Sequence, residues 1–551
     1  MNRFKIFTFA FLGATSIAFA QDLDASKKAI DAEQFEKAKT LLKTFIQSKP
    51  TNGEAPFLLG NIYLNQSFND SAKIYFQKGL TAKEFANLNY IGLGQMDLDN
   101  GNAAAALSNF GLAMKDVRKK DTQEYVYIAQ AYMKCSKPDY KAAINVLNRA
   151  KTANPTDAQV NLAFGNAFYG DKNQNEAYTS YRSAYQADNT LLRAKMQLGV
   201  LLKGAGSFDI AEKEYNNVIA TDPKYGPVYR ELAETFFLWA NREPAKYNDY
   251  IQKALGFYEK YMTLTDYSLN SRMRHADFLV LARDYKALEI EANQMKQLDK
   301  VNPRIMRYLG YAAYQNGNNE LAIKSLEEFI NNPTTKKIAR DYSFLGLAKI
   351  KKATAADGKI SDPTAFDEAV VNLKKSVEME PKLSEDLNAL GSSLFKQKCY
   401  TEAACIFELA TANKDQKNYL MDNFYLGYSL YYGYDKTKPD AIALQKAEIA
   451  FSNVIAISPT AQDAHLFKAR IYNNMEHDEA MTKSYQDYIN VVTTKGTDEM
   501  TKNKAKFVEA YNNMGAFFVN TDKIKAKEMW TKTVELDPAN QYANESLKNL
   551  K

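Results

Sequence analysis

The sequence predicts an all-α protein, a solenoid of tandem helical hairpins. Three observations carry that reading: few helix breakers, a pair of small residues recurring at one spacing, and prolines that close the recurring unit. Over 551 residues there are only 14 Pro and 24 Gly, with 46% apolar and 25% charged residues. Such a chain can bury a core, and its abundant Ala, Lys, Leu, Gln and Glu favour helix.

The first element is not part of the solenoid. Residues 1–20, MNRFKIFTFAFLGATSIAFA, carry Arg3 and Lys5, then an apolar run, then Ala18-Phe19-Ala20. This is the pattern of a secretory signal peptide, with cleavage expected before Gln21. The run from Ile6 to Ala20 is shorter than the roughly 20 residues of a spanning helix. No Cys follows the expected cleavage site, so no lipid anchor is expected, and no later stretch is apolar enough to span. The expected location is the periplasm, with association with the outer membrane left open.

Cleavage would remove two of the six net positive charges. The rest is a mild excess, with Lys dispersed among acids, which argues against a nucleic-acid partner. Cys135, Cys399 and Cys405 cannot make a disulfide framework or a metal site with ordinary ligand spacing. Pairing of Cys399 with Cys405 in an oxidising compartment stays open beside two independent thiols.

From there one unit recurs. Gly60 and Ala72, Gly94 and Ala106, Gly165 and Ala177, Gly199 and Ala211, Gly310 and Ala322, and Gly391 and Ala403 each stand twelve residues apart. A glycine inside a helix costs about 1 kcal/mol relative to alanine, so its repetition implies close helix approach. Large apolar residues stand four after each alanine: Phe76, Phe110, Tyr181, Tyr215, Leu326 and Phe407. These offsets place apolar stripes on two helices with a polar turn between them. Prolines 155, 223, 303, 333, 381, 459 and 538 then stop the second helix. The first copy ends at Pro50 with Ala38 and Leu42 in frame, and the last carries Gly515, Ala526, Trp530 and Pro538.

This frame, of about 34 residues, resembles the tetratricopeptide repeat. The resemblance implies a right-handed α-solenoid superhelix of about fourteen repeats across 21–538, with 539–551 as a C-terminal capping helix. Three copies have longer connections between their two helices, near 239–253, 351–366 and 432–446. Each is a loop or an extension of the helices, and extension is the preferred reading of the first.

The family's first helices line a concave groove that holds protein or peptide partners. The offsets −6, −3, +1 and +4 from each glycine form a second stripe on that helix. It contains Asn61, then Asn166 and Tyr169, then Arg304, Arg307, Tyr311 and Tyr314, then Phe424, Tyr428 and Tyr431. Arg340 holds −6 of the next unit, so Arg304 and Arg340 are expected to be neighbours beside Arg307, Tyr311 and Tyr314. Arginine forks bind carboxylates and tyrosines offer rigid contact area, which suits an acidic segment. Pairing of these arginines with neighbouring acids, and packing of the tyrosines between repeats, is the competing reading. The Lys and Asn carboxylate clamp of some family members is not matched, since Asn61 and Asn166 lack its basic partners.

His275, His465 and His477 share no motif, and no nucleophile elbow, zinc signature or phosphate loop occurs. No enzyme, metal or cofactor is expected. The expected function is a scaffold for proteins or peptides, in an envelope or outer-membrane complex. A glycan or small-molecule binder is the alternative, and a cell-wall hydrolase ranks below it.

Overall fold

The computed structural model describes residues 23–266 and 268–550. The expected signal segment, 1–20, lies outside the described residues. Within them every regular element is a helix, and two isolated β-bridges, Asn52 with Glu84 and Thr354 with Ile360, sit in connections. The chain divides into two compact units, one ending at Asp284 and one starting at Tyr285. Unit one holds seven hairpins, at 23–48, 54–80, 88–114, 123–153, 158–187, 192–221 and 226–264, followed by the helix Leu269–Ala282. Unit two opens with the helix Tyr285–Leu298 and continues through six hairpins, at 304–331, 339–379, 388–410, 419–457, 462–494 and 504–536. A short helix, Thr497–Lys502, precedes the last of them.

The recurring glycine is a socket. A Cβ on Gly199 would lie 2.5 Å from the ring of Tyr215, and one on Gly94 would lie 2.5 Å from that of Phe110. On Gly310 it would lie 2.5 Å from the Leu326 side chain. The large residue four after each alanine therefore fills the space a side chain would take, and the alanine beside it is fully buried. Packing of this kind repays the helix propensity that glycine forfeits.

Turns and ends follow from local chemistry. Gly101, Gly206 and Gly317 close their hairpin turns with positive φ, and Ser67, Lys172, Lys398 and Glu476 adopt the same left-handed conformation elsewhere. The side chains of Asn102, Asp139, Asn173 and Asn318 then cap the second helix of their hairpins. Asn154, Asp222 and Glu380 are extended at the helix end, as the residue before proline must be.

The three long connections differ. At 239–253 the extra residues are helical: Gly226–Arg242 and Tyr247–Leu264 meet at a 3-10 turn, Pro244–Lys246. At 351–366 the helices Ala339–Ala353 and Pro363–Met379 leave a loop pinned by the Thr354–Ile360 bridge. At 432–446 the segment 433–440 is a loop between Tyr419–Tyr432 and Ala441–Ile457. After the last hairpin, Gln541–Asn549 packs Ala543 onto Ala526 and Trp530, covering the end of that core.

Candidate functional site

In unit one, first helices of successive hairpins share an inner cleft. Phe57, Asn61 and Asn65 from 54–80, Ile91 and Gln95 from 88–114, and Tyr127, Gln130 and Lys134 from 123–153 line it together. Phe57 and Tyr127 form its floor, edge to face with ring centres 4.7 Å apart. Lys134 stands exposed at the edge of this cleft. Farther along, Asn166 accepts a hydrogen bond from the Tyr181 hydroxyl at 2.9 Å, and Tyr169 is exposed.

The same stripe turns basic in the next two hairpins. Arg193 stands six before Gly199, and Arg230 stands three before Ala233. Both are engaged by the turn of the first hairpin. Arg193 Nε donates to Asp31 Oδ1 at 2.7 Å, Arg230 donates to Glu33, and the Tyr261 hydroxyl donates to Glu33 at 2.9 Å. Glu231 accepts from Lys203 at 2.6 Å and from Arg230 at 3.2 Å. Burial alone would raise the Glu33 pKa, but Arg230 and Arg193, helped by Tyr261, hold it below the usual carboxylate range. No local pattern points to Glu33 or Arg230, because their contact closes across 197 residues.

In unit two the expected basic and aromatic patch is largely spent on packing. Arg307 makes a two-pronged pair with Asp341, at 2.7 and 2.8 Å, and also donates to the Lys336 carbonyl. Tyr311 is interior at 2% exposure, not groove surface as the stripe suggested, and donates to the same Asp341 at 2.7 Å. Its ring stacks on Phe344 at 4.4 Å, and Tyr314 meets Phe344 edge-on. Arg304 lies over the Tyr308 ring, whereas Arg340 is exposed. The stripe reading missed Asp341, which follows Arg340 and draws Arg307 and Tyr311 inward.

Phe424, Tyr428 and Tyr431 come together around Phe467. Tyr428 and Tyr431 meet its ring edge-on at 4.8 and 5.0 Å, and Phe424 stacks on Tyr428 at 5.8 Å. Arg470 covers the Phe467 face at 4.8 Å while forking onto Glu509 at 2.7 and 2.6 Å. These rings contact one another more than they present flat faces. Among the described residues no group of three or more His, Cys, Asp or Glu is placed to hold a metal ion. Cys135, Cys399 and Cys405 are free thiols.

Glycine socket, buried alanine, bulky plug and terminal proline, repeated along helical hairpins, define the class of protein: the chain is built of tandem tetratricopeptide-type repeats. No protein-family model matches it. Among curated proteins it is similar to Superkiller protein 3 of Schizosaccharomyces pombe, at 24% identity over 231 residues. That match covers 42% of this chain but only 12% of the relative's length. Among solved structures it is similar to the C-terminal part of a TPR repeat-containing protein from Cytophaga hutchinsonii, at 22% identity. The match covers 50% of this chain and 98% of that one, with a TM-score of 0.27. A tetratricopeptide repeat protein from Parabacteroides merdae is 15% identical, covering 54% of this chain and 98% of that one, with a TM-score of 0.30. Both structural likenesses concern the fold alone.

Proposed function

We propose that this chain is a non-catalytic scaffold that binds protein or peptide partners along the inner face of its hairpins. It works in the periplasm, at or near the outer membrane, in the assembly of envelope complexes. The observation that carries the binding role is the row of side-chain amides on the first helices of unit one, where Asn61, Asn65, Gln95 and Gln130 from three successive hairpins stand beside Phe57, Ile91 and Tyr127 around a narrow crevice. Among the described residues no protein group hydrogen-bonds these four amides. A side-chain amide offers a donor and an acceptor, matching the two groups each residue of an extended peptide presents. Lys134 adds one cation for a carboxylate. The signal-type segment 1–20 supports the location.

The test is a photo-crosslinking amino acid placed at Asn65, the exposed amide of the row, in the full chain, with Ile74, an exposed residue on a second helix, as control. Envelope extracts should yield discrete protein adducts from Asn65 that Ile74 does not give. Identical adducts from both positions would count against the groove. Fractionation should recover the chain with the periplasm or outer membrane.

A further inference from the structure

The turn of the first hairpin occupies a basic site elsewhere in unit one. Asp31 and Glu33 meet Arg193 and Arg230, which stand on the groove stripe of the sixth and seventh hairpins. Gln34 Nε2 donates to the Leu264 carbonyl at 3.2 Å, and the Glu36 N–H donates to the Asp266 carboxylate. Tyr225, 4% exposed, sets its hydroxyl beside Arg193 and Asp31. We propose that Arg193, Arg230 and Tyr225 form a binding site for an acidic segment of a partner protein, and that the chain's own Asp31–Glu33 turn fills it as an autoinhibitory plug.

The proposal rests on the reading of the chain as a partner-binding solenoid and names what one part of its groove takes. Three features make the contact exchangeable. It is made of charged and polar groups, whose net worth is small because each must be stripped of water, so an equivalent carboxylate can replace them at little cost. Arg230 keeps Glu231 as a second acceptor at 3.2 Å, and its guanidinium lies over the Tyr261 ring at 5.5 Å. It therefore stays charge-compensated and oriented when Glu33 leaves. The Tyr225 hydroxyl, a donor that already faces Asp31, can serve an incoming carboxylate in the same place.

The plug itself supplies the probe: a labelled peptide of residues 27–37, KKAIDAEQFEK. The full chain carrying Asp31→Asn and Glu33→Gln should bind this peptide, and the wild-type chain should bind it at least about tenfold more weakly because its site is filled. A peptide with the same two changes should lose binding to the variant, as should the variant after Arg230→Ala. In the wild-type chain, excess peptide and a rise in salt from about 0.05 to 0.5 M should each speed amide exchange of residues 23–48, leaving 158–187 unchanged. That measurement stands if the double variant fails to fold. Equal peptide binding by both chains would overturn the plug, and so would a folded variant that binds no peptide. Persistent Asn65 adducts alongside either result would leave the scaffold reading intact and remove the plug alone.

Discussion

Gly199 and Gly256 are both helical glycines, yet a side chain would meet the Tyr215 ring at the first and open space at the second. Alanine should therefore act in opposite directions. We predict that Gly199→Ala lowers stability by about 1–3 kcal/mol through overpacking, and that Gly256→Ala raises it by up to about 1 kcal/mol through helix propensity. Urea unfolding of the full chain gives both signs. Neighbouring residues divide as sharply at Arg340 and Asp341. Asp341 is fully buried and serves Arg307 and Tyr311, so Asp341→Ala should cost about 3–5 kcal/mol by stranding a buried guanidinium. Arg340→Ala, at an exposed site, should stay within about 0.5 kcal/mol. Comparable losses from both changes would mean that Arg340 also supports the fold.

Each hairpin buries its apolar stripes against the hairpin before and the hairpin after, so the last one needs a cover. Gln541–Asn549 supplies it: Ala543 packs on Trp530, which is 3% exposed, and Tyr542 meets the indole edge-on at 6.3 Å. Ending the chain at Asp537 should open Trp530 to water. With Trp239→Phe removing the one other tryptophan, the emission of the truncated chain should shift to the red and its melting temperature should fall. An unchanged spectrum would mean that the hairpin closes its own end. The helical insertion at 239–253 matters at this scale too. It extends Tyr247–Leu264, whose last turns carry Tyr261 and the Leu264 carbonyl to the first hairpin.

At the scale of the whole molecule, unit one is joined to itself by charge. Glu33 titrates below its ordinary range when folded, so its contribution is complete above the unfolded value and is lost as pH falls through the lowered one. Between about pH 5 and 3 the wild-type chain should lose protection of residues 23–48 faster than Glu33→Gln does, and the two should converge at the acid end. Parallel profiles would show that the ion pair adds nothing to closure. Unit two has its forks, Arg307 with Asp341 and Arg470 with Glu509, between neighbouring hairpins, where they stiffen adjacent repeats.

The sequence by itself determined the repeat. Socket, buried alanine and plug lie within sixteen residues of one another, and helix geometry converts such spacings into contacts without help from the rest of the chain. The cleft residue Asn61 was legible for the same reason, as a fixed offset from Gly60. Which arginines remain available was decided by tertiary structure alone. Arg307 and Tyr311 turn inward because Asp341 sits 34 and 30 residues away, and Arg193 is covered by Asp31 across 162. A periodicity reports which face of a helix a residue occupies, whereas a charge pair forms wherever the backbone brings opposite signs together, and no local pattern encodes that meeting.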